Sequence, residues 1–152
     1  MKRIIYVFLK DISYYCRFFK NRWSRILIQK AYEYEGVKFL GPISYIHHDA
    51  FIDNTGLISF GANIVISTKA IILAHDHSSY IFERSGIEKR HVSFVSVGDN
   101  CFIGAGAIIL PETTIGNNCI IGAGAVVKGI IPSYSVVVGN PGKIIKTIEP
   151  NE

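Results

Sequence analysis

Stepping by six from Val97, the chain reads Val97, Ile103, Ile109, Ile115, Ile121 and Val127, and all are aliphatic. The residues that follow them are Gly98, Gly104, Leu110, Gly116, Gly122 and Lys128. Four residues after each aliphatic stand Cys101, Ala107, Thr113, Cys119, Ala125 and Ile131, mostly small. Ile, Leu and Val fill 43 of 152 positions, so six aliphatics in one chosen register would arise by chance about once in 2000 tries. A helix cannot use this period, because at about 100° per residue the aliphatics would spiral around it. A plain antiparallel strand would be broken by Gly and Asn-Asn every few residues. The period predicts a short strand, a corner and another short strand. The aliphatic points inward from a flat face, and the small residue packs where faces meet. Gly98-Asp99-Asn100 and Gly116-Asn117-Asn118 are the corners, with residue types that tolerate positive φ. Three faces close a triangular coil of 18 residues, and stacked coils give parallel sheets around one core.

Outside this stretch the pattern is broken. Clear repeats begin at Phe60-Gly61, Ile66-Ser67 and Ile72-Leu73. Residues 37–59 are β-rich but irregular and read as a blunt first coil, the cap that a solenoid needs. His47-His48 falls there, as a solvated pair on a corner or edge. The register is lost from 74 to 96, a polar segment with His75 and His77 at its entrance. An excursion of that length points to function. Pro132 ends the repeat, Val136–Val138 resumes an extended run, and Gly139-Asn140-Pro141-Gly142-Lys143 turns the chain. The tail is expected to form a short strand or turn over the open end of the last coil.

Residues 2–30 read as an amphipathic helix whose apolar face is Ile5, Phe8, Ile12, Tyr15, Phe19, Trp23 and Ile26, with Gly36 as its stop. Lys10, Asp11, Arg17 and Lys20 interrupt it, which excludes a transmembrane span. The run Ile4–Leu9 is too short for a signal peptide. The expected organisation is an N-terminal helix over 1–36, a β-helix over 37–148 with an extruded loop at 74–96, and a tail at 149–152.

Charge is uneven. Residues 1–30 hold eight Lys or Arg and one acid, and the remaining chain holds eight and eleven. A basic aromatic segment of this kind either packs on the β-helix or a neighbouring subunit, or makes peripheral contact with an anionic membrane. No nucleic-acid motif accompanies the charge. Three cysteines make no disulfide framework. Cys101 and Cys119, 18 apart, occupy the same slot of successive coils and read as small core residues.

The run VGDNCFIGAGAIILPETTIGNNCIIGAGAVV, followed by IIPSYSVVVGNPGKII, resembles the hexapeptide-repeat acyltransferases, in particular the maltose, galactoside and nodulation-factor O-acetyltransferase branch. The likeness covers residues 55–148. It implies a left-handed parallel β-helix, an all-β solenoid that departs from the right-handed crossover rule. It further implies acetyl-CoA as donor, a homotrimer with the active site between subunits, a cytoplasmic setting, and an acceptor that is a sugar, glycan or nucleotide sugar. By that resemblance the base falls on His75, with His77 as second choice. An Asp follows His75 where the galactoside enzymes have Pro, so the acceptor pocket differs from theirs. The same register puts Gly104, Ala105, Gly122, Ala123 and Lys128 along the pantetheine arm, and Lys143 and Lys146 near the nucleotide phosphates, where lysine serves as a point charge.

Acyl transfer from a thioester needs a base for the acceptor proton, a donor for the developing oxyanion and a dry slot. Histidine suits the first role because it titrates near neutrality. No GxSxG elbow supplies a nucleophile. A carboxylate or a backbone carbonyl is expected to orient the imidazole. Transfer to the amino group of an amino sugar is the nearest alternative. A γ-carbonic-anhydrase-like zinc protein needs three histidines, two of them five apart, and positions 47, 48, 75, 77 and 91 lack that spacing, so no metal is expected. A non-enzymatic β-helix scaffold is the third class.

Overall fold

The computed structural model describes residues 5, 7–9, 11, 22–53, 57–76, 81, 84–86 and 93–148. The helix α1 (Arg22–Tyr34) leads into four coils. The first holds β1 (Lys38–Phe39), β2 (Tyr45–Ile46) and β3 (Phe51–Ile52), and the second β4 (Leu57–Phe60), β5 (Val65–Ile66) and β6 (Ile71–Ile72). The third holds β7 (Phe94–Val97), β8 (Phe102–Ile103) and β9 (Ile108–Ile109), and the fourth β10 (Thr113–Ile115), β11 (Ile120–Ile121) and β12 (Val126–Val127). After these come β13 (Ile130–Ile131), β14 (Ser135–Val138) and β15 (Lys143–Thr147).

Each turn of the chain adds one strand to each of three sheets. Sheet 1 is β1-β4-β7-β10-β13, sheet 2 is β2-β5-β8-β11-β14-β15, and sheet 3 is β3-β6-β9-β12. The pairings are parallel except β14 with β15. Ile103 lies over Ile66 and under Ile121, and Ile109 over Ile72 and under Val127. These aliphatics, with the small slots Cys101, Ala107, Thr113, Cys119, Ala125 and Ile131, are buried. Each buried Ile contributes about 1.5–3 kcal/mol, so one period serves both strand placement and core.

The corners divide their work between two residue types. Positive φ falls on Asn63, Asn100 and Asn118, at 58°, 56° and 58°. Their side chains form a ladder, Asn63 Nδ2 to Asn100 Oδ1 at 3.0 Å and Asn100 Nδ2 to Asn118 Oδ1 at 3.2 Å. Gly98 has another purpose: a Cβ there would meet Asn117 Oδ1 at 2.2 Å and the Gly116 carbonyl carbon at 2.8 Å. It is glycine because the next coil lies against it.

Three expectations are corrected. Residues 37–59 are not irregular, because β1, β2 and β3 pair in register with β4, β5 and β6. Longer corners obscured the repeat: Ile46 to Ile66 is 20 residues, against 18 from Ile103 to Ile121. The helix buries a different face from the one expected. Ile28, Ala31 and Tyr32 are buried, and Tyr32 donates its hydroxyl to the Ala50 carbonyl at 3.1 Å, whereas Trp23 is 66% exposed. His47-His48 is half-buried and bonded rather than solvated. The Gly36 stop holds, with φ 102°. The tail forms β15 on the edge of sheet 2. Most of the helix expected over 2–21, and most of the excursion after Asp76, lie outside the described residues. No described helix is long and apolar enough to cross a membrane.

Candidate functional site

His75 is the first residue beyond the rigid coil. Ile72 is buried in β6, Leu73 N donates to Ile109 O at 2.9 Å, and Ala74 is buried. His75 stands at the edge between sheets 3 and 1, past the end of β6. Below it, on the first coil, Asp53 follows the buried Ile52 at the same edge. Its carboxylate is 2% exposed, Oδ2 accepts the Ala74 N–H at 3.0 Å, and the same oxygen meets His75 Nδ1. The ring is 31% exposed. A carboxylate at Nδ1 holds the proton on that nitrogen, so the lone pair is on Nε2, the tautomer a general base requires. Of the two orienting groups expected, the carboxylate is the one found. Asp53 escaped the sequence reading because it lies 22 residues away in a coil of unequal length. Writing the first coil under the second at an offset of 20 would have exposed it, since Ile52 then falls under Ile72. His77 lies outside the described residues.

Of the expected donor-binding residues, Gly104, Ala105, Gly122 and Ala123 occupy the other edge of sheet 3. Gly104-Ala105-Gly106 and Gly122-Ala123-Gly124 are stacked corners between sheets 2 and 3, joined by Gly124 N to Ala105 O at 2.9 Å. The coil explains the glycines. A Cβ on Gly104 would meet Ala123 N at 2.6 Å, and Gly106 and Gly124 have φ 65° and 67°. It does not explain Ala105 and Ala123, which are exposed and could carry large side chains. A strip kept small on the solvent side admits a thin ligand against the backbone. Lys143 opens β15 at the far end of this edge, where Gly142 N bonds Val126 O at 2.7 Å. Lys143 and Lys146 are exposed. Lys128 stands apart from them, on the His75 edge two coils along, 3.8 Å from Glu112.

Within one chain, then, the imidazole and the small strip are separated by the width of sheet 3. That face is lined outwardly by Phe51, Ile71, Ile108 and Val126. Cys101 and Cys119 are free and buried, and burial pushes the Cys101 thiol up to about 11, so it is an inert core group.

Comparison with known proteins agrees with this architecture. Residues 94–129 match the family model described as bacterial transferase hexapeptide (six repeats). Protein CapG of Staphylococcus aureus is 44% identical over 96 residues, which is 63% of this chain and 56% of that protein. The putative lipopolysaccharide biosynthesis O-acetyl transferase WbbJ of Escherichia coli K12 is 31% identical over 121 residues, covering 73% and 61%. Serine acetyltransferases of S. aureus are 34% identical over 137 residues, covering 82% and 63%. A maltose O-acetyltransferase of Clostridium difficile superposes with TM-score 0.61 at 28% identity, over 98% of this chain and 89% of that one. The chain spans a little over half the length of the curated relatives it matches. Repeat, coil and relatives together identify the chain as a member of the bacterial hexapeptide-repeat transferase family.

Proposed function

We propose that the chain is an O-acetyltransferase that moves the acetyl group of acetyl-CoA to a hydroxyl of a sugar or glycan, with His75 as general base. The observation that carries this reading is the buried Asp53 carboxylate on His75 Nδ1. In the reaction, Nε2 takes the hydroxyl proton as the oxygen attacks the thioester carbonyl. The tetrahedral intermediate collapses with loss of the CoA thiolate, and the imidazolium returns the proton to sulfur. No acyl-enzyme forms, because acceptor and thioester are held together. Base help of this kind is worth about 10²–10⁴-fold.

The pantetheine arm is assigned to the strip of Gly104, Ala105, Gly122 and Ala123, with Lys143 and Lys146 toward the phosphates and, from the His75 edge of the neighbouring copy, Lys128 beside the arm. The left hand of the coil and a homotrimer belong to the same reading. If sheet 3 faces a three-fold axis, the His75 edge of one copy meets the small-residue edge of the next, and the two halves of the site join. The outward apolar row on sheet 3, with Phe51 54% exposed and Ile71, Ile108 and Val126 half-buried, supports that packing. The sugar acceptor is favoured by likeness to a maltose O-acetyltransferase and a lipopolysaccharide O-acetyl transferase. A free-serine acceptor is the second reading, favoured by the serine acetyltransferase relatives. We place the protein in the cytoplasm, where acetyl-CoA is made, with its basic N-terminal segment at the membrane face where glycans are assembled.

The test is acetyl transfer screened against sugars, lipid-linked glycans, amino sugars and serine, with His75→Ala as control. Turnover on a hydroxyl of a sugar that His75→Ala abolishes supports the proposal. Retained turnover in His75→Ala, or a serine-only enzyme, overturns it.

A further inference from the structure

The corner His47-His48-Asp49 lies on the edge between sheets 2 and 3, at the opposite end from Lys143. It belongs to neither the base nor the donor strip, and its chemistry differs from both. The backbone here is fixed: His47 N bonds Ile66 O at 2.9 Å, and Ala50 N bonds His47 O at 3.0 Å, which closes the turn. Three donor residues in succession project from that turn. His47 Nδ1 meets Asp49 Oδ1. Asp49 is itself held from the next coil, by Thr68 Oγ1 to Oδ2 at 2.8 Å and Lys69 N to Oδ1 at 3.1 Å. The ring of His48 lies 4.4 Å from that of His47, centroid to centroid. One ligand atom from each residue lies within 4.8 Å of the others.

We propose that His47, His48 and Asp49 form a binding site for a zinc-like divalent transition-metal ion. Two imidazoles and one carboxylate are a donor set that zinc favours, with three protein ligands and a fourth position open. Nitrogen and oxygen ligands at about 2.0–2.2 Å from a tetrahedral zinc stand about 3.4 Å apart. The atoms farthest apart therefore need to close by at most ~1.5 Å, while His47 Nδ1 and Asp49 Oδ1, now in contact, need to part to admit the ion, both within the reach of a histidine side-chain rotation. The ion takes the place of the proton between His47 Nδ1 and Asp49 Oδ1, and the neutral ring keeps its one N–H at Nε2. Asp49 keeps lone pairs for it, since a carboxylate offers about four acceptor positions. Thr68 and Lys69 act as the outer contacts that orient a ligating carboxylate. The corner is open to entry, with the His47 side chain 15% and that of Asp49 34% exposed. His75 and Asp53 share the pairing of imidazole and carboxylate, but the second adjacent imidazole is found only at the His47 corner among the described residues.

The site is independent of the acetyltransferase reading, so its test does not use activity. Untagged full-length protein is titrated with zinc chloride by calorimetry in a non-chelating buffer, alongside His48→Ala, Asp49→Asn, Thr68→Val and His75→Ala. One ion per chain with micromolar or tighter affinity is expected. His48→Ala and Asp49→Asn should weaken it at least tenfold, Thr68→Val about tenfold, and His75→Ala not at all. Circular dichroism of each variant without metal checks that the coil is intact. Should a variant fail to fold, cobalt(II) added to the unaltered protein reads the site directly, through the visible absorption of a low-symmetry nitrogen and oxygen set. No binding of zinc at micromolar protein, binding that His48→Ala and Asp49→Asn leave intact, or no cobalt spectrum would overturn the proposal.

Discussion

His75 Nδ1 rests on the carboxylate of Asp53, one coil below it on the same edge of the prism. The carboxylate is buried and also caps Ala74 N, so it fixes the backbone as well as the ring. Asp53→Asn preserves the shape and, with its amide oxygen in the Oδ2 position, the bond from Ala74, but it leaves only a neutral acceptor at Nδ1. Without the carboxylate charge, the imidazolium that forms when Nε2 takes the proton loses its support. Turnover should drop by about 10²–10⁴-fold, with little change in the apparent KM for acetyl-CoA and the thermal midpoint near that of the parent. Steady-state kinetics beside a melting curve decide it. Asp53→Asn with near-parental kcat would mean that the carboxylate serves the fold alone.

Ala105 and Ala123 give a separate test of the donor strip. Both are exposed, so enlarging them leaves the core untouched and should cost less than about 0.5 kcal/mol of stability. Ala123→Phe nevertheless fills the corner beside Gly104 and Gly122. The expected result is a tenfold or greater rise in the KM for acetyl-CoA with unchanged melting. Lys143→Glu should also raise that KM, more at low salt than at high, because a lone lysine acts on phosphate through charge. If both variants keep the parental KM, the arm lies elsewhere.

How much of this was legible follows from geometry. In the third and fourth coils every face has the same length, so inward residues recur at six and Ile103, Ile109, Ile115 and Ile121 declare the fold. In the first coil the corners carry extra residues, and the same contacts vanish from the period even though Ile46 and Ile52 stack on Ile66 and Ile72. His75 stood out because it opens the polar stretch where the repeat fails, three residues after the inward Ile72. Asp53 directly follows the inward Ile52, but its partner is a coil away and no local pattern joins them. The helix face was misread because apolar spacing alone cannot say which stripe meets the protein. Trp23 fits the stripe and is exposed, whereas Tyr32 falls off it and reaches the Ala50 carbonyl.

Cys101 ties stability to alkaline pH. Burial holds its thiol above the ordinary value of 9.0, at about 11, and Sγ donates to the Gly116 carbonyl at 3.1 Å. A raised folded-state value favours the protonated form, so its contribution is whole below pH 9 and is lost as pH rises through 11. The loss is on the order of 2 kcal/mol. Urea midpoints measured from pH 8 to 11 should decline more steeply for the parent than for Cys101→Ala. Neither Cys101 nor Cys119 should react with a thiol reagent at pH 8 until the chain unfolds. Parallel midpoint curves, or rapid labelling of the native thiols, would contradict the buried assignment.

The proposed trimer is tested at sheet 3. Ile108 points outward from β9 between the two edges that carry the halves of the site, and it is only partly exposed. Ile108→Glu puts a charge where three copies would converge. Within an isolated chain it is a surface change of less than about 0.5 kcal/mol. In a closed three-fold assembly it buries three like charges around one axis, each unpaired and costing several kcal/mol. Sedimentation should therefore show a trimer for the parent and monomers for the variant, with the same β-rich circular dichroism in both. Transfer activity should fall with the trimer, because His75 of one copy then lacks the Ala105 and Ala123 edge of its neighbour. A monomeric parent that acetylates its acceptor at full rate would place the whole site in one chain, and sheet 3 would then need another explanation for Phe51 and Ile108.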